Sequence, residues 1–441
     1  MSDAPGNAGR RRMLWPRLGG RLWQHPDFLK LWASQSVSRL GTVVTALALP
    51  TIAIQQLGAG PVEVGFLAAL QALPFSILGI PSGVIADRLP RRPIMIVSDL
   101  GRLAALASVP LAYLGPGLSM AHLYLVALII GIFTPFSAVA SQAYLKGLLD
   151  RDDLTEGNAK LEISNSTANV AGRALAGALI HWIQAPLAIV VDAISYLISA
   201  LLVLAIRRPE PITSRSRQQG RASFRRDAWD GLAATFCDGT IRLIAASSAT
   251  VNLGLSIVNT VYLLYAYEVL GLNAAEVGLV LAAGGAGSVL GAMAVYPVSR
   301  RIGEGPAMAS AVLVGFASYL LLPLAQTGPV AAAGLVVPLL GVASFVVSVC
   351  LPIYFVNTIT VRQATVADHL QGRVVGTIRT VVIACTPIGA LIGGALGQYL
   401  GVVATLLIGA AVGALALGWI AAGPIRLTSV RRTEAAFIRT A

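Results

Sequence analysis

The sequence predicts an all-α polytopic membrane protein whose twelve transmembrane helices form two pseudo-symmetric six-helix bundles. Three observations lead to this fold class. Of the 441 residues, 56% are hydrophobic and only 12% are charged, which is about half the charged fraction of a soluble globular protein. Apolar runs of about 20 residues, long enough to cross a bilayer as a helix, recur along the chain. A polar stretch near the middle separates two groups of six such runs.

The basic residues follow the positive-inside rule. Long tracts contain no lysine or arginine: 103–145, 243–299, 302–361 and 380–425. Each tract has room for two helices and an outer loop, whereas the basic residues concentrate at the opposite helix ends. We therefore expect a multi-pass protein of the inner or plasma membrane with both termini in the cytoplasm. The net charge of +12 is explained by topology and by contact with the lipid bilayer, so no nucleic-acid partner is expected.

Turn signals divide the first half into six runs. Turns rich in glycine and proline follow the first and third runs, at 58–61 and 115–117. Charged loops follow the second and fourth runs, at 87–93 and 146–156, where the membrane-embedded part of a helix is expected to end. The predicted helices are 31–55, 64–86, 94–114, 122–144, 159–183 and 187–206.

The second half repeats this arrangement after a linker rich in Arg, Ser, Gln and Pro. Its predicted helices are 241–269, 275–298, 307–325, 330–358, 374–396 and 402–422. The predicted domains are a cytoplasmic N-terminal segment 1–30, a bundle 31–206, a cytoplasmic linker 207–238, a bundle 239–423 and a cytoplasmic tail 424–441.

Six helices, a linker and six helices suggest an internal duplication. Gly79 and Gly83 correspond to Gly287 and Gly291, an offset of 208 residues (287 minus 79), and Leu154 and Gly177 correspond to Leu370 and Gly393, an offset of 216 residues (370 minus 154). Paired six-helix halves are typical of transporters that bind substrate near the middle of the membrane.

The loop between the second and third helices carries a motif. Its residues are Gly83, Asp87, Arg88, Arg91 and Arg92. The arginines can anchor a hairpin at lipid headgroups, but topology does not require the acid. The motif resembles the signature loop between helices 2 and 3 of the major facilitator superfamily, and departs from it at Pro90, where glycine is usual. The resemblance implies the twelve-helix transporter fold of that superfamily, with Asp87 latching the N terminus of helix 11 in the outward-open state.

Three further segments, 27–32, 38–41 and 371–374, are similar to an efflux branch that includes macrolide and enterobactin exporters. This resemblance implies export of a small lipophilic compound such as an antibiotic, a siderophore or another secondary metabolite, driven by the proton-motive force. Uptake and lipid flipping by the same fold are alternatives. A membrane-embedded transferase is a further alternative, but the acids and histidines that it would need do not cluster at one membrane face.

No cofactor or metal is expected. The sequence has no phosphate-binding loop that would use ATP directly. Cys237, Cys350 and Cys385 are scattered without the spacing of a disulfide framework or a metal site. The expected partners are therefore a small-molecule substrate, protons as the coupling ion and the lipid bilayer, and the protein is expected to be a monomer.

Charged side chains inside the spans are costly and usually face a cavity or a partner. Those nearest the cytoplasmic ends are predicted to form an inner charge cluster: Arg39, Asp99, Arg102 and Arg379. Glu162 lies at the inner end of the fifth helix. The alternative is that these side chains extend to the inner lipid headgroups.

Arg173 and Asp192 lie deeper in the membrane. Their positions on the fifth and sixth helices differ in depth by about one to two turns. We predict an intramembrane pair, which either staples the two helices or couples transport to protons. The resemblance expects an acid after Gly41, where the chain has Thr42. Asp192 and Asp99 are therefore the plausible proton carriers within the membrane.

The resemblance also implies a central cavity lined by helices 1, 4, 7 and 10. Candidate lining residues are Phe133, Phe136, Asn252, Asn259, Tyr262, Phe345 and Tyr354. An apolar cavity with a few amides and phenols suits a lipophilic organic molecule. Packing is the alternative role for each of these side chains.

Overall fold

The computed structural model describes residues 21–115, 117–150, 153–208, 238–366 and 368–422. Most of the predicted linker, residues 1–20 of the predicted N-terminal segment and the whole predicted tail 424–441 lie outside these residues. The described residues are almost entirely helical and include no β-strand. An all-α chain is expected here, because lipid offers the backbone no hydrogen-bond partners.

The described residues form twelve long helices. In the first half these are α1 Pro26–Thr51, α2 Pro61–Arg88, α3 Arg91–Leu114, α4 Met120–Leu148, α5 Leu154–Ile183 and α6 Ala185–Leu204. In the second half they are α7 Gly239–Leu264, α8 Ala274–Ile302, α9 Glu304–Ala317, α10 Val336–Thr365, α11 Asp368–Leu400 and α12 Val402–Ala414. Short helical segments continue α9 and α12. Each predicted helix is present, with most ends displaced by a few residues.

Among the helices in the described ranges, 11 are long and apolar enough to cross a membrane. The exception is α5, which carries Asn158, Glu162, Asn165, Asn169 and Arg173. α5 nevertheless packs along α1 and α8. Asn165, Asn169 and Arg173 are half-buried within this helix assembly, where charged and amide groups can find partners.

The two halves are structural repeats. α1 and α7 each contain 26 residues and start 213 residues apart (239 minus 26). Each continues into a π-helical segment of 5 residues, Ile52–Gln56 and Tyr265–Val269. A shared irregularity at the same offset is strong support for a duplication.

The start of the next helix confirms this register. Glu63 accepts a hydrogen bond from the Gly60 N–H at 2.9 Å, and Glu276 accepts one from the Asn273 N–H at 2.8 Å. The glutamates are again 213 residues apart (276 minus 63). The expected offset of 208 residues was therefore wrong, because glycines spaced four apart can be aligned in several registers.

The two halves meet along two helix pairs, α2 with α11 and α5 with α8. Glycines form the closest approach in both contacts. A β-carbon at Gly65 would lie 2.9 Å from the α-carbon of Gly394, and one at Gly278 would lie 2.7 Å from that of Gly177. Backbones this close leave no room for a larger residue. The pairs Gly65–Gly394 and Gly278–Gly177 are equivalent in the two repeats.

Both contacts lie at one end of the assembly. The end that carries Arg88–Arg92 and Arg300–Arg301 is called the basic face, and the opposite end the far face. α2 and α8 begin at the far face, and Gly65 and Gly278 lie in their second turns. The structure is therefore closed at the far face.

Candidate functional site: a cavity between the two halves

A cavity of about 1400 Å³ lies between the two halves. Most of its lining comes from α1, α2, α4 and α5 of the first half and from α7 and α11 of the second, and α3 and α6 add one residue each. On α1 the lining extends from Pro50 to Leu31, and on α5 it begins at Asn158 in the second turn from the basic face. The cavity therefore opens toward the basic face.

The cavity wall is more polar than expected. Amide side chains from five helices line it: Gln35, Gln71, Gln142, Asn158, Asn165 and Asn259. Serine and threonine hydroxyls lie between them, together with apolar side chains such as Leu67, Phe75 and Ile383. Such a wall can hold an apolar body and also form hydrogen bonds with polar groups of the same ligand.

Asn259 is the one predicted cavity residue among the described lining residues. The others lie outside that lining: Phe133, Phe136, Asn252, Tyr262, Phe345 and Tyr354. Phe133 faces α3, where it packs against Gly101. α10, expected to line the cavity, instead packs along α8 and α9. The helix identities alone do not determine which side of each helix faces the cavity.

The two tyrosines of this set are structural. Tyr262 is buried and shares a hydrogen bond of 3.1 Å with Ser344. Tyr354 is buried and shares one of 2.7 Å with Ser247. Each bond joins α7 to α10, so both phenols hold the second half together.

Asp99 and Arg102 form a buried ion pair on α3. Arg102 Nη2 lies 2.6 Å from Asp99 Oδ1 and donates to Ser137 of α4 at 2.8 Å. Ser199 of α6 donates to Asp99 Oδ2 at 2.6 Å. The guanidinium lies over the ring of Tyr196, 4.2 Å from its centroid. The pair therefore ties α3 to α4 and α6, with Arg102 reaching the cavity wall.

The predicted inner charge cluster is divided by this arrangement. Arg39 and Arg379 line the cavity from opposite halves. Arg39 Nη2 donates to Asn169 of α5 at 3.4 Å. Asp99 lies behind the wall, paired with Arg102. The four residues thus surround one cavity and do not form a single network.

The structure does not pair Arg173 with Asp192, and that prediction is corrected. Asp192 faces α1, where it accepts hydrogen bonds from Thr45 at 2.5 Å and from Ser195 of its own helix at 3.0 Å. Arg173 faces α8 and donates to the carbonyl of Leu281 at 3.3 Å. The two side chains point to different neighbours because of how each helix is rotated about its axis. α6 packs along α1 and α3, whereas the side of α5 that carries Arg173 faces α8 in the other half.

Tyr196 is a site residue that the sequence interpretation missed. It lines the cavity, stacks under Arg102 and shares a hydrogen bond of 3.0 Å with Thr42. A signal was available on α6, where Asp192, Ser195, Tyr196 and Ser199 recur at intervals of three and four residues. That spacing places all four on one helix face.

A family comparison identifies this architecture. The sequence profile of the Major Facilitator Superfamily matches residues 31–382. The chain belongs to the Major Facilitator Superfamily. The resemblance of the signature loop is thereby confirmed.

Relatives within the superfamily include named efflux pumps. The multidrug efflux pump Tap of Mycobacterium tuberculosis is 27% identical over 425 residues, which cover 93% of this chain and 95% of Tap. Macrolide efflux protein A of Streptococcus pyogenes is 26% identical over 223 residues, which cover 48% of this chain and 54% of that protein. The nucleoside transporter NupG superposes with a TM-score of 0.72 at 13% identity, covering 90% of this chain and 98% of NupG, and so shares its fold.

The superfamily's signature loop lies on the basic face. Arg91 Nη1 donates to a backbone carbonyl of α4 at 3.4 Å, and Arg92 Nε donates to a carbonyl in the last turn of α6 at 3.1 Å. Arg92 Nη2 bonds the next carbonyl. A cation at a helix C terminus stabilises it. Asp87 and Arg88 are exposed at the end of α2, and Gly83 lies one turn earlier. Two arginines of the loop therefore hold the first half together at this face.

Proposed function

We propose that this superfamily member is a secondary active transporter that exports a small organic compound by alternating access. The proposal rests on the cavity, which opens to one face and is closed at the other by two equivalent glycine contacts. In such a cycle the halves rock about the cavity, so that these contacts separate as the basic face closes. Tap and macrolide efflux protein A, by their names, favour export.

The basic face is assigned to the cytoplasm, because arginine-rich loops stay on that side of a membrane. Both termini and the linker 207–238 then lie in the cytoplasm, and the cavity loads from there. Since one chain supplies the whole cavity, the transporter works as a monomer. Asp87 acts in the opposite state, where the N terminus of α11 approaches the closing basic face.

Asp192 is the proposed carrier of the coupling proton. Its carboxyl is 1% exposed and forms no ion pair among the described residues. Its partners Thr45 and Ser195 are hydroxyls, which can donate or accept. The carboxyl can therefore gain or lose a proton without losing both hydrogen bonds. Asp99, by contrast, is tied to Arg102.

A susceptibility screen tests export directly. The protein is expressed in a host that lacks its own efflux pumps, and growth is measured against a panel of antibiotics and metabolites, with and without a proton uncoupler. We expect higher resistance to at least one compound, lost when the uncoupler is added. Unchanged sensitivity to the whole panel would contradict export, and increased sensitivity would indicate uptake.

A further inference from the structure

The cavity carries an excess of positive charge. The charged residues among the described lining residues are three arginines and one glutamate: Arg39, Arg102, Arg379 and Glu162. Asp99 balances Arg102 from behind the wall. Within the described ranges, the other three charged lining residues form no ion pair. Arg39 and Arg379 therefore face the cavity with Glu162 as the single acid among the described lining residues.

Arg39 is poorly satisfied by the protein. A guanidinium has five N–H donors, yet its Nη2 reaches only Asn169, at 3.4 Å, and its buried Nε has no hydrogen-bond partner among the described residues. Buried donors are normally paired, and leaving one unpaired is costly. Arg173, one turn beyond Asn169 on α5, offers Arg39 no negative charge, and its own hydrogen bond goes to the uncharged carbonyl of Leu281.

Arg379 brings the second charge from the other half. It lies on α11, exposed at the cavity wall, whereas Arg39 lies on α1. Closing the basic face narrows the cavity that both arginines line, so the two like charges oppose closure of the unloaded cavity. An anion between them would remove that repulsion and accept hydrogen bonds from both guanidinium groups.

We infer that the transported compound is an organic anion, with a carboxylate, sulfonate or phosphate group attached to an apolar body. The anionic group lies between Arg39 and Arg379, and the body lies against Phe75 and Ile383. This inference rests on the proposed export function and names its substrate class. The inference also means that the basic face closes only after the anion has bound. A ligand shifts a conformational equilibrium only through its different affinity for the two states, and the anion favours the closed state by removing the repulsion.

Two dyes with the same xanthene skeleton and opposite charge test the inference. Binding of anionic fluorescein and cationic rhodamine 123 to the purified full-length protein is measured by fluorescence anisotropy. We expect fluorescein to bind at least about 10-fold more tightly, and Arg39→Gln and Arg379→Gln each to weaken its binding about 10-fold. Arg301→Gln, at an exposed arginine outside the cavity lining, should leave fluorescein binding unchanged.

Arg39→Lys is the control for folding. It keeps the positive charge and should therefore retain the preference for fluorescein. Equal or tighter binding of rhodamine 123, no binding of fluorescein, or fluorescein binding unaffected by both glutamine variants would overturn the inference. The susceptibility screen uses neither dye. Export can therefore stand when the anion preference fails, and a negative screen would not by itself remove a measured preference for the anionic dye.

Discussion

Replacing Gly65 by alanine should open the far face. The added β-carbon would lie 2.6 Å from the carbonyl oxygen of Ala390 on α11, whereas ordinary contact begins at 3.4 Å. α2 and α11 must therefore separate by about 0.8 Å (3.4 minus 2.6) to admit it. Overpacking of this kind costs about 1–3 kcal/mol, and only the state with the far face closed bears that cost. A cost of about 2 kcal/mol raises the ratio of far-face-open to far-face-closed molecules about 30-fold.

Distances between spin labels across the far face measure this ratio. Val62 on α2 and Tyr399 on α11 are 47% and 85% exposed and lie near that face. The labels are attached to cysteines at these positions, after the native Cys237, Cys350 and Cys385 are replaced. Double electron–electron resonance should then show a longer-distance population in Gly65→Ala.

Gly79→Ala is the matched control on the same helix, because its β-carbon would meet nothing closer than 3.9 Å. It should leave the distances unchanged. Gly278→Ala, at the equivalent contact of the second repeat, should act in the same direction as Gly65→Ala. An unaltered distance distribution in Gly65→Ala, or an equal change in Gly79→Ala, would refute the reasoning.

Three further substitutions probe the polar groups. Asp192→Asn should fold and abolish uncoupler-sensitive export, measured as resistance at matched expression; wild-type resistance would exclude Asp192 as the proton carrier. Arg102→Gln leaves Asp99 buried without its cation and should lower stability by about 3–5 kcal/mol, and adding Asp99→Asn should restore most of it in thermal unfolding. A double variant no more stable than the single one would argue against the ion pair. Arg173→Ala removes a hydrogen bond of about 1 kcal/mol across the halves, so the spin-label distances should lengthen, by less than in Gly65→Ala; no shift would show that the bond does not favour closure.

The helices were predictable because each one is determined by residues within its own segment. Apolar length and arginine position are read directly from the sequence, and both follow from the bilayer. The contacts of Arg173 and Asp192 were not predictable in the same way. Counting residues along each helix compares only their depths, whereas a contact also depends on how each helix is rotated about its axis. The polar spacing on α6 contained that information for Asp192, whereas Arg173 is placed by the partner half.

The residues of the cavity wall were also hard to predict from the sequence. Of the residues predicted to line the cavity, only Asn259 belongs to the described lining, because the lining is set by how two bundles tilt against each other. Arg39 and Arg379 were recognised as unusual charges, yet their common feature is that they face one space from opposite halves. That relation exists only once the two repeats are packed together.

Alternate exposure of one cavity to two faces is best tested with a single cysteine at Thr134, which lies on α4 in the cavity wall. In a cysteine-free background, a membrane-impermeant maleimide should label this position in inside-out vesicles. In intact cells, labelling should appear only when an exported compound and a proton gradient are both present. Labelling in intact cells under every condition, with none in inside-out vesicles, would contradict a cavity that opens to the cytoplasm.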